Sequence, residues 1–377
     1  MAGRRGTGEG SISQRPDGLW VARIDIGQDA TGKRQRKAVY GKTKKECAEK
    51  LTKLASQKLD GTLIDTGRMT VADLLDRWLT DEAAVNCASN TITRYKGVTD
   101  LHVKPRIGSL KLATLKPGHV AGMLAAMVRD EAGPRTQGHA FAVCRRAFNV
   151  GIKWGLLLRN PCDTITAPKY VRKDIRSLTA GQAVATINAS EGTGYQALFV
   201  LALTSGLRQG ELFALQWADV DLEKGTVSIR NSLEEVKGTL TLKEPKSRSG
   251  RRQVALPEMT KAALWEHKRE MLAKGLLQCG IVFPSPEGGW LRKSNFTRRV
   301  WHPVRAAAGI PESATFHGLR HSAASLLLSE GTSIKVIQEM LGHSNVALTL
   351  NTYSHVLPGM QEQAASTFDR LLGSKTA

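Results

Sequence analysis

Apolar and polar positions alternate near the start of the chain in a pattern that predicts a small β-sheet. Gly18 to Ile26 alternates with the two-residue period of a strand, and Lys33 to Tyr40 does so again after a turn-like stretch. Thr43 and Glu46 then have the spacing of a helix capping box. The apolar side expected for this sheet and helix comprises Trp20, Ala22, Ile24, Cys47, Ala48, Leu51, Leu54 and Ala55.

Helical periodicity replaces the strand pattern in the second segment, between Met69 and Lys169. Thr70 is placed to cap one helix, Ser89-Asn-Thr91 opens another, and a longer helix is predicted from Thr136 to Trp154. We expect this segment to be helical and to be followed by an exposed linker that begins at Lys169.

The third segment, from about Ile175 to Ala377, is predicted to be mostly helical with a few strands. Strands are expected near Thr226 to Ser232, Thr239 to Lys243 and Arg251 to Leu256. The sequence therefore predicts a multidomain protein of the α+β class, because one ordinary hydrophobic core rarely serves a chain of 377 residues.

The net charge of the chain indicates which class of molecule the protein binds. Lysine and arginine number 54 against 34 aspartate and glutamate residues, which gives a formal net charge of +20. Such an excess indicates a polyanion, and because no apolar run approaches a membrane span, we expect nucleic acid rather than a membrane surface. The N-terminus lacks an apolar signal region, which predicts a cytoplasmic location. The five cysteines are scattered, which is typical of buried thiols and indicates neither a metal site nor a disulfide framework.

Basic side chains concentrate in two places that are suited to DNA phosphates. In the first segment they lie on or beside the predicted strands, and in the second they belong to predicted helices. The candidates are Arg23, Lys33, Arg34, Arg36, Lys37, Arg94, Arg145 and Arg146. A single basic residue on a helix is more often simply solvated, so the cluster on the short hairpin is the stronger indication.

Four short stretches carry side chains suited to chemistry at a phosphate. They contain Arg208 after a glycine turn, Lys246 in a basic stretch predicted to form a β-hairpin, His317 with Arg320, and His343 followed ten residues later by Tyr353. Each alone has an ordinary explanation, such as a helix-cap salt bridge between Arg208 and Glu211, or a packed tyrosine. His317 and Arg320 share a helix face and can address one oxygen cluster, whereas His321 is expected to pack or be solvated.

Together and in this order, the four stretches resemble the tyrosine recombinase family, also called phage integrases. The family pattern is an arginine, a hairpin lysine, His-x-x-Arg, a Gly-His and a nucleophilic tyrosine about ten residues on. The resemblance implies an arm-type DNA-binding domain over residues 1–65, with a three-stranded sheet and a helix. It further implies an all-α core-binding domain of the SAM-like type over residues 66–172 and a mainly α catalytic domain with a small sheet over residues 173–377.

The resemblance also implies a reaction. Tyr353 would attack the DNA phosphorus to give a 3′-phosphotyrosyl link and a free 5′-hydroxyl, while His317 takes its proton and Lys246 protonates the leaving oxygen. The remaining catalytic candidates, Arg208, Arg320 and His343, would bind the non-bridging oxygens. Glu211 would orient an active-site side chain. No metal ion or other cofactor is implied, because preorganised side-chain charge would stabilise the phosphate. No ATP is implied either, because the covalent link conserves the energy of the phosphodiester.

The implied partners are double-stranded DNA at core and arm attachment sites, a homotetramer on DNA, an excision factor and a host DNA-bending protein. An apolar stripe at helical spacing near the C-terminus fits packing on a neighbouring subunit. The stripe comprises Ala364, Ala365, Phe368, Leu371 and Leu372. Three alternatives stay open: a host chromosome resolvase, a type IB topoisomerase-like enzyme and a catalytically inactive DNA-binding regulator. The extra N-terminal domain favours an integrase of a phage or another mobile element.

Overall fold

The computed structural model describes residues 10–28, 34–59, 68–170, 177–236, 238–245, 248–353 and 360–372. The chain divides into two compact units, Met1–Arg172 and Lys173–Ala377. Both units combine helices with small sheets, one in the first unit and two in the second, so the predicted α+β class is confirmed. A search of the described residues finds no helix with the length and apolar character that a membrane span requires.

The first unit begins with a three-stranded antiparallel sheet that one helix covers. Its elements are β1 (Ser11–Gln14), β2 (Trp20–Gln28), β3 (Arg34–Gly41) and α1 (Lys44–Leu59), with β2 central. The strand β1 is short and polar, and the alternation of apolar residues alone did not predict it. The Glu46 amide donates to Thr43 Oγ1 at 3.2 Å, so the predicted cap of α1 is present. Ala22, Ile24 and the α1 residues Cys47, Leu51 and Leu54 form the buried core.

The rest of the first unit is helical, as predicted. It comprises α2 (Val71–Trp78), α3 (Ala84–Asn86), α4 (Ser89–Val98), α5 (Lys104–Ile107), α6 (Pro117–Arg129) and α7 (Pro134–Lys153). Thr70 caps α2 through a capping box with Asp73, as its position predicts. Trp78 and Phe148 are fully buried in the second core of this unit, which is separate from the core under the sheet.

The second unit holds most of the helices and two small sheets. Its elements are α8 (Ala180–Ala189), α9 (Gln196–Ser205), α10 (Gln209–Phe213), β4 (Val220–Asp221), β5 (Thr226–Ile229), β6 (Ser232–Val236), β7 (Thr239–Lys243), β8 (Arg252–Ala255), α11 (Glu258–Ala273), α12 (Lys293–Phe296), α13 (His302–Ala307), α14 (Gly318–Ser329), α15 (Ile334–Leu341), α16 (Val346–Tyr353) and α17 (Met360–Leu372). The apolar helix α9 lies at the centre, where Phe199 packs against Phe296, Trp301 and Phe316.

The predicted basic hairpin between Lys243 and Val254 is wrong. Strand β7 pairs with β6, whereas β8 pairs with β5, so the stretch between Lys243 and Arg252 connects two different sheets. Only two residues separate β6 from β7, and the second of them, Gly238, has a φ of +81°, which glycine adopts readily. A turn this short pairs β6 with β7 and leaves β8 to complete the sheet β4-β5-β8.

Candidate active site

Three arginines bind three successive carbonyl groups at the C-terminal end of α15. Arg252 Nε donates to the oxygen of Met340 at 2.6 Å, Arg320 Nη2 to that of Leu341 at 2.7 Å, and Arg208 Nη2 to that of Gly342 at 3.2 Å. The last carbonyls of a helix have no partner within the helix and carry partial negative charge. This helix end therefore gathers guanidinium groups from β8, α14 and the turn before α10 around one point.

Arg208 follows a left-handed glycine turn at the end of α9. Gly206 has a φ of +59°, which glycine adopts without strain, and a Cβ there would lie 2.7 Å from Leu341 Cδ2, so glycine is favoured. Arg208 itself is the N-cap residue of α10, and its Nη1 donates to Glu211 Oε1 at 2.7 Å. Its side chain is 39% exposed. The predicted Arg208–Glu211 salt bridge is confirmed, and it coexists with the bond to the end of α15.

Arg320 is the most buried of the three arginines, with 3% of its surface exposed. Its Nη1 donates to the Gly206 oxygen and its Nη2 to the Leu341 oxygen, both at 2.7 Å. Because these carbonyls end α9 and α15 respectively, Arg320 connects the turn that precedes Arg208 with the residues that precede His343. Two of the four predicted stretches thus meet around the side chain of a third.

His317 is the N-cap residue of α14 and lies beside His321. The two imidazole centroids are 5.4 Å apart and their planes are perpendicular, so His321 packs against the site, as expected. His317 keeps part of its surface exposed, yet desolvation by its neighbours, followed by the charges of His321 and Arg320, lowers its pKa to about 4. Its imidazole is therefore neutral at pH 7, which is the form that accepts a proton.

His343 is held on two sides directly after α15. Gln338 Nε2 donates to the His343 backbone oxygen at 2.6 Å, and the ring Nδ1 lies 2.8 Å from Thr349 Oγ1 on α16. Burial, with the charges of Arg320 and Arg208, lowers the pKa of His343 to about 4. The ring is thus neutral at pH 7, and because Thr349 occupies Nδ1, Nε2 is the nitrogen that faces no partner among the described residues.

Of the other two catalytic candidates, one ends a helix and the other lies outside the described residues. Tyr353 is the last residue of α16, the helix that also carries Thr349. Lys246 lies outside the described residues. Lys243, the other lysine at the end of β7, donates to Glu234 Oε2 at 2.7 Å across the β6–β7 pair. The ammonium group of Lys243 is therefore paired with a carboxylate of the same sheet.

Arg252 was not predicted as a site residue, and it forms a buried ion pair with Glu211. Arg252 Nη2 lies 2.9 Å from Glu211 Oε2, and the two side chains are 7% and 3% exposed. Burial alone would raise the pKa of Glu211, but the hydrogen bond and charge of Arg252, with the charge of Arg208, outweigh it and lower the pKa. A signal existed in the strand pattern, since Arg252 is two residues from the buried Val254 and hence on the same face of β8.

The predicted DNA-binding arginines of the helical segment lie on α4 and α7. Arg146 Nη1 donates to Tyr95 Oη at 3.1 Å, and its guanidinium lies 5.8 Å from the centre of that ring. Arg145 pairs with Asp163 at 3.2 Å, and Arg94 lies against His139. All three arginines are exposed, so their charge is open to solvent.

The predicted basic residues of the sheet do not all share one face. Arg23 and Arg36 are exposed and lie opposite Ala38 and Asp25 in the β2–β3 register, on the face away from α1. Arg34 is exposed at the start of β3. Lys37 pairs with the buried Ile24 and therefore lies on the face that α1 covers. Lys33 lies outside the described residues.

Comparison with known proteins decides the family. The sequence model of the Phage integrase family matches residues 176–359, and that of the phage integrase N-terminal SAM-like domain matches residues 70–125. An integrase of Streptomyces ambofaciens is 31% identical over 382 aligned residues, which cover 98% of each chain. The chain belongs to the phage integrase family of tyrosine recombinases. It is a site-specific DNA recombinase of the mobile-element type.

Other relatives and solved structures are also similar to this recombinase. A XerC-like tyrosine recombinase of Caldanaerobacter subterraneus is 28% identical and covers 92% of this chain and 95% of its own length. Among solved structures, the Tn1549 transposon integrase in complex with transposon right end DNA has a TM-score of 0.69 at 21% identity, covering 80% of this chain and 99% of its own. A lambda integrase dimer bound to a core site has a TM-score of 0.59 at 20% identity, covering 91% and 94%. These two likenesses show a shared fold.

Proposed function

We propose that this recombinase cuts and rejoins DNA through Tyr353, with Arg208, Lys246, His317, Arg320 and His343 as the other catalytic residues. The observation that carries the proposal is the meeting of Arg208, Arg320 and the residue before His343 at the end of α15. Two guanidinium groups and a backbone segment from three distant stretches are brought to one point. Tyr353 ends the helix to which His343 is bonded through Thr349.

Arg208 and Arg320 would bind the non-bridging oxygens of the scissile phosphate. The transition state at phosphorus carries more negative charge on these oxygens than the ground state, so fixed guanidinium groups stabilise it selectively. The contacts to backbone carbonyls hold both guanidinium groups in place before DNA arrives. His343 Nε2 would supply a further hydrogen bond, since its ring is neutral and Thr349 orients it through Nδ1.

His317 would remove the proton of the Tyr353 hydroxyl. A phenol has a pKa of about 10 and is a poor nucleophile at neutral pH, so a base must act on it. The low pKa of His317 keeps its imidazole unprotonated and ready to accept. A DNA phosphate nearby would raise that pKa, because its negative charge favours the imidazolium. Lys246 would protonate the leaving 5′ oxygen, and the ion pair of Lys243 with Glu234 favours this choice between the two lysines.

The proposed domain order is an arm-type DNA-binding domain over residues 1–65, a core-binding domain over 66–172 and a catalytic domain over 173–377. The two separate cores of the first unit support a division inside it. The family models support the other two parts, since they match residues 70–125 and 176–359. The exposed Arg23, Arg34 and Arg36 would face arm DNA, and Arg94, Arg145 and Arg146 would face the core site.

We further propose that the recombinase works as a tetramer on DNA in the cytoplasm, with an excision factor and a host DNA-bending protein as partners. A lambda integrase tetramer bound to a Holliday junction has a TM-score of 0.58 with this chain, and that assembly supports the stoichiometry. The exposed apolar side chains of Phe368, Leu371 and Leu372 on α17 offer a surface for a neighbouring subunit.

The experiment that tests the site is covalent trapping. Footprinting on the DNA that flanks the gene would first locate the core site, and a nicked duplex of that site would then be incubated with the purified protein. We expect a covalent adduct that migrates above the free protein, with mass spectrometry placing the DNA on Tyr353. The Tyr353→Phe variant should bind the duplex with normal affinity and form no adduct. An adduct from the phenylalanine variant would refute the assignment of the nucleophile.

A further inference from the structure

The end of α15 is connected to the Glu211 carboxylate by Arg252, a residue to which the proposed function gives no role. Arg252 donates four hydrogen bonds: Nε to the Met340 oxygen at 2.6 Å, Nη1 to the Gly250 oxygen at 3.2 Å and to Glu211 Oε1 at 3.3 Å, and Nη2 to Glu211 Oε2 at 2.9 Å. A guanidinium has five N–H groups, so these partners use all but one of them.

The burial of Arg252 distinguishes it from Arg208. Only 7% of the Arg252 side chain is exposed, against 39% for Arg208, although both bind Glu211. Arg252 thus has its hydrogen bonds inside the protein, while Arg208 retains an open surface that a phosphate can reach. A direct contact with DNA is therefore the role of Arg208, and Arg252 acts through its neighbours.

Those neighbours are the two groups that set the geometry of the site. Glu211 accepts from the Arg208 backbone amide at 2.9 Å and from Arg208 Nη1 at 2.7 Å, so whatever fixes Glu211 also fixes Arg208. Met340 lies three residues before His343, and its carbonyl is the first of the three that the arginines bind. Arg252 joins these two groups by a single planar, rigid side chain.

The backbone at Gly342 lies in close contact with Arg252 and with the residue Ser249. Gly342 has a φ of +66°, and a Cβ there would lie 2.7 Å from the Ser249 oxygen and 2.9 Å from Arg252 Nη1. The chain between α15 and His343 therefore packs directly on the residues that lead into β8, which only glycine permits at this position.

We propose that Arg252 is a positioning residue that keeps Arg208 and His343 in fixed relative positions by binding Glu211 and the end of α15 at the same time. Without Arg252, Arg208 is the one partner of Glu211 left among the described residues, and Glu211 draws the Arg208 guanidinium inward, away from a phosphate. The Met340 carbonyl loses its donor, and the segment that carries His343 loses one of its three arginine contacts. The proposal rests on the catalytic roles proposed above for Arg208 and His343.

The test uses the full chain and compares Arg252→Lys and Arg252→Met with Arg305→Met. Arg305 is a matched control, because it is also largely buried in the second unit and donates to a backbone oxygen, that of Glu312 at 2.9 Å, outside the cluster. Single-turnover cleavage of the nicked core duplex is measured at saturating DNA, together with the Kd for that duplex and the melting temperature.

We expect Arg252→Met to slow cleavage by about tenfold to a hundredfold, by analogy with the loss seen when the outer partner of a metal ligand is removed. The Kd should change by less than about threefold, since few phosphate contacts are lost. Arg252→Lys should fall between wild type and Arg252→Met, because an ammonium neutralises Glu211 but cannot also bind Met340. Arg305→Met should lower the melting temperature and leave the cleavage rate unchanged. Wild-type cleavage by Arg252→Met, or an equal slowing by Arg305→Met, would overturn the proposal.

Hydrogen–deuterium exchange of the DNA-free protein separates this proposal from the catalytic assignment. Peptides that cover residues 338–349 should exchange faster in both Arg252 variants and at the wild-type rate in Arg305→Met. Unchanged exchange in the Arg252 variants would overturn the proposal even if they cleave slowly. If instead Tyr353→Phe still forms an adduct, the proposed catalytic site fails, while the exchange experiment still decides whether Arg252 holds the end of α15.

Discussion

Arg208 and Gly342 lie 134 residues apart in the chain and are joined by a 3.2 Å hydrogen bond from the guanidinium Nη2 to the carbonyl oxygen. This bond connects the first stretch of the recombinase pattern with the fourth. A DNA phosphate is a stronger acceptor for a guanidinium than a neutral carbonyl is, because both partners are then charged. The Gly342 carbonyl therefore keeps Arg208 oriented in the free protein and can yield to the substrate.

Replacing either arginine with alanine should abolish most cleavage but affect stability differently. We expect Arg208→Ala and Arg320→Ala each to slow single-turnover cleavage by about 100-fold or more, the size found for one charge-stabilising donor. Only Arg320→Ala should lower the melting temperature strongly, since it leaves the Gly206 and Leu341 carbonyls without their buried donors. Cleavage at a near-normal rate by either variant would mean that the arginine is purely structural.

Acid should destabilise the fold through His317 and His343, whose surroundings favour the neutral imidazole. The pKa of His317 and of His343 is about 4 in the folded protein, against about 6.5 for an unfolded histidine. The unfolded chain thus binds protons first, so the stabilisation is fully present above about pH 6.5 and is lost as the pH falls toward 4. We expect the melting temperature to drop between pH 6.5 and pH 4.5. The double variant His317→Asn, His343→Gln should show a shallower drop, and equal slopes would contradict the low pKa values.

Binding of the core duplex should weaken steeply as salt rises, because phosphate contacts release counterions from DNA. Arg146→Ala should weaken binding and reduce the slope of log affinity against log salt by about one, the expected effect of one lost phosphate contact. Arg269→Ala serves as the control, since Arg269 is exposed on α11 and pairs with Glu266 at 3.0 Å. An unchanged slope for Arg146→Ala would remove that residue from the DNA interface.

Removing the chain from Gln361 onward should impair assembly of two DNA sites while leaving the fold intact. The α17 side chains Phe368, Leu371 and Leu372 are 63%, 64% and 69% exposed, so their loss uncovers little core. We expect an unchanged melting temperature, normal binding of one core duplex and loss of the paired complex in gel-shift experiments. A gentler variant with serine at these three positions should behave alike. Recombination at the wild-type rate by the truncated protein would argue against a role between subunits.

The face of the N-terminal sheet that points away from α1 should bind arm DNA. In the full chain, Arg23→Ala with Arg36→Ala should weaken binding to arm-site DNA and lower integration at a complete attachment site, because both side chains face away from α1. Cleavage of the core duplex should stay normal. Lys53→Ala, on the exposed side of α1, should change neither measurement. If the arginine variant integrates normally, the domain binds no separate DNA site through this face.

Local signals in the sequence were sufficient for most of the elements. Thr70 and Ser89 mark helix starts that are confirmed, and the buried run from Ala197 to Leu203 forms the centre of α9. Capping and apolar periodicity depend on residues within a few positions of each other, so they can be recognised without knowledge of the fold. The order of the recombinase residues likewise belongs to the sequence alone and led to the family that the comparisons show.

Pairing between distant residues was decided only by the tertiary structure. Alternation predicted β7 and β8 but could not assign their partners, since every strand offers the same backbone donors and acceptors to any neighbour. The same limit hid Arg252, one arginine among many in a basic stretch. Its role can be recognised only in the fold, which places it between Glu211 and Met340. A buried charge is tolerated only beside a partner that compensates it.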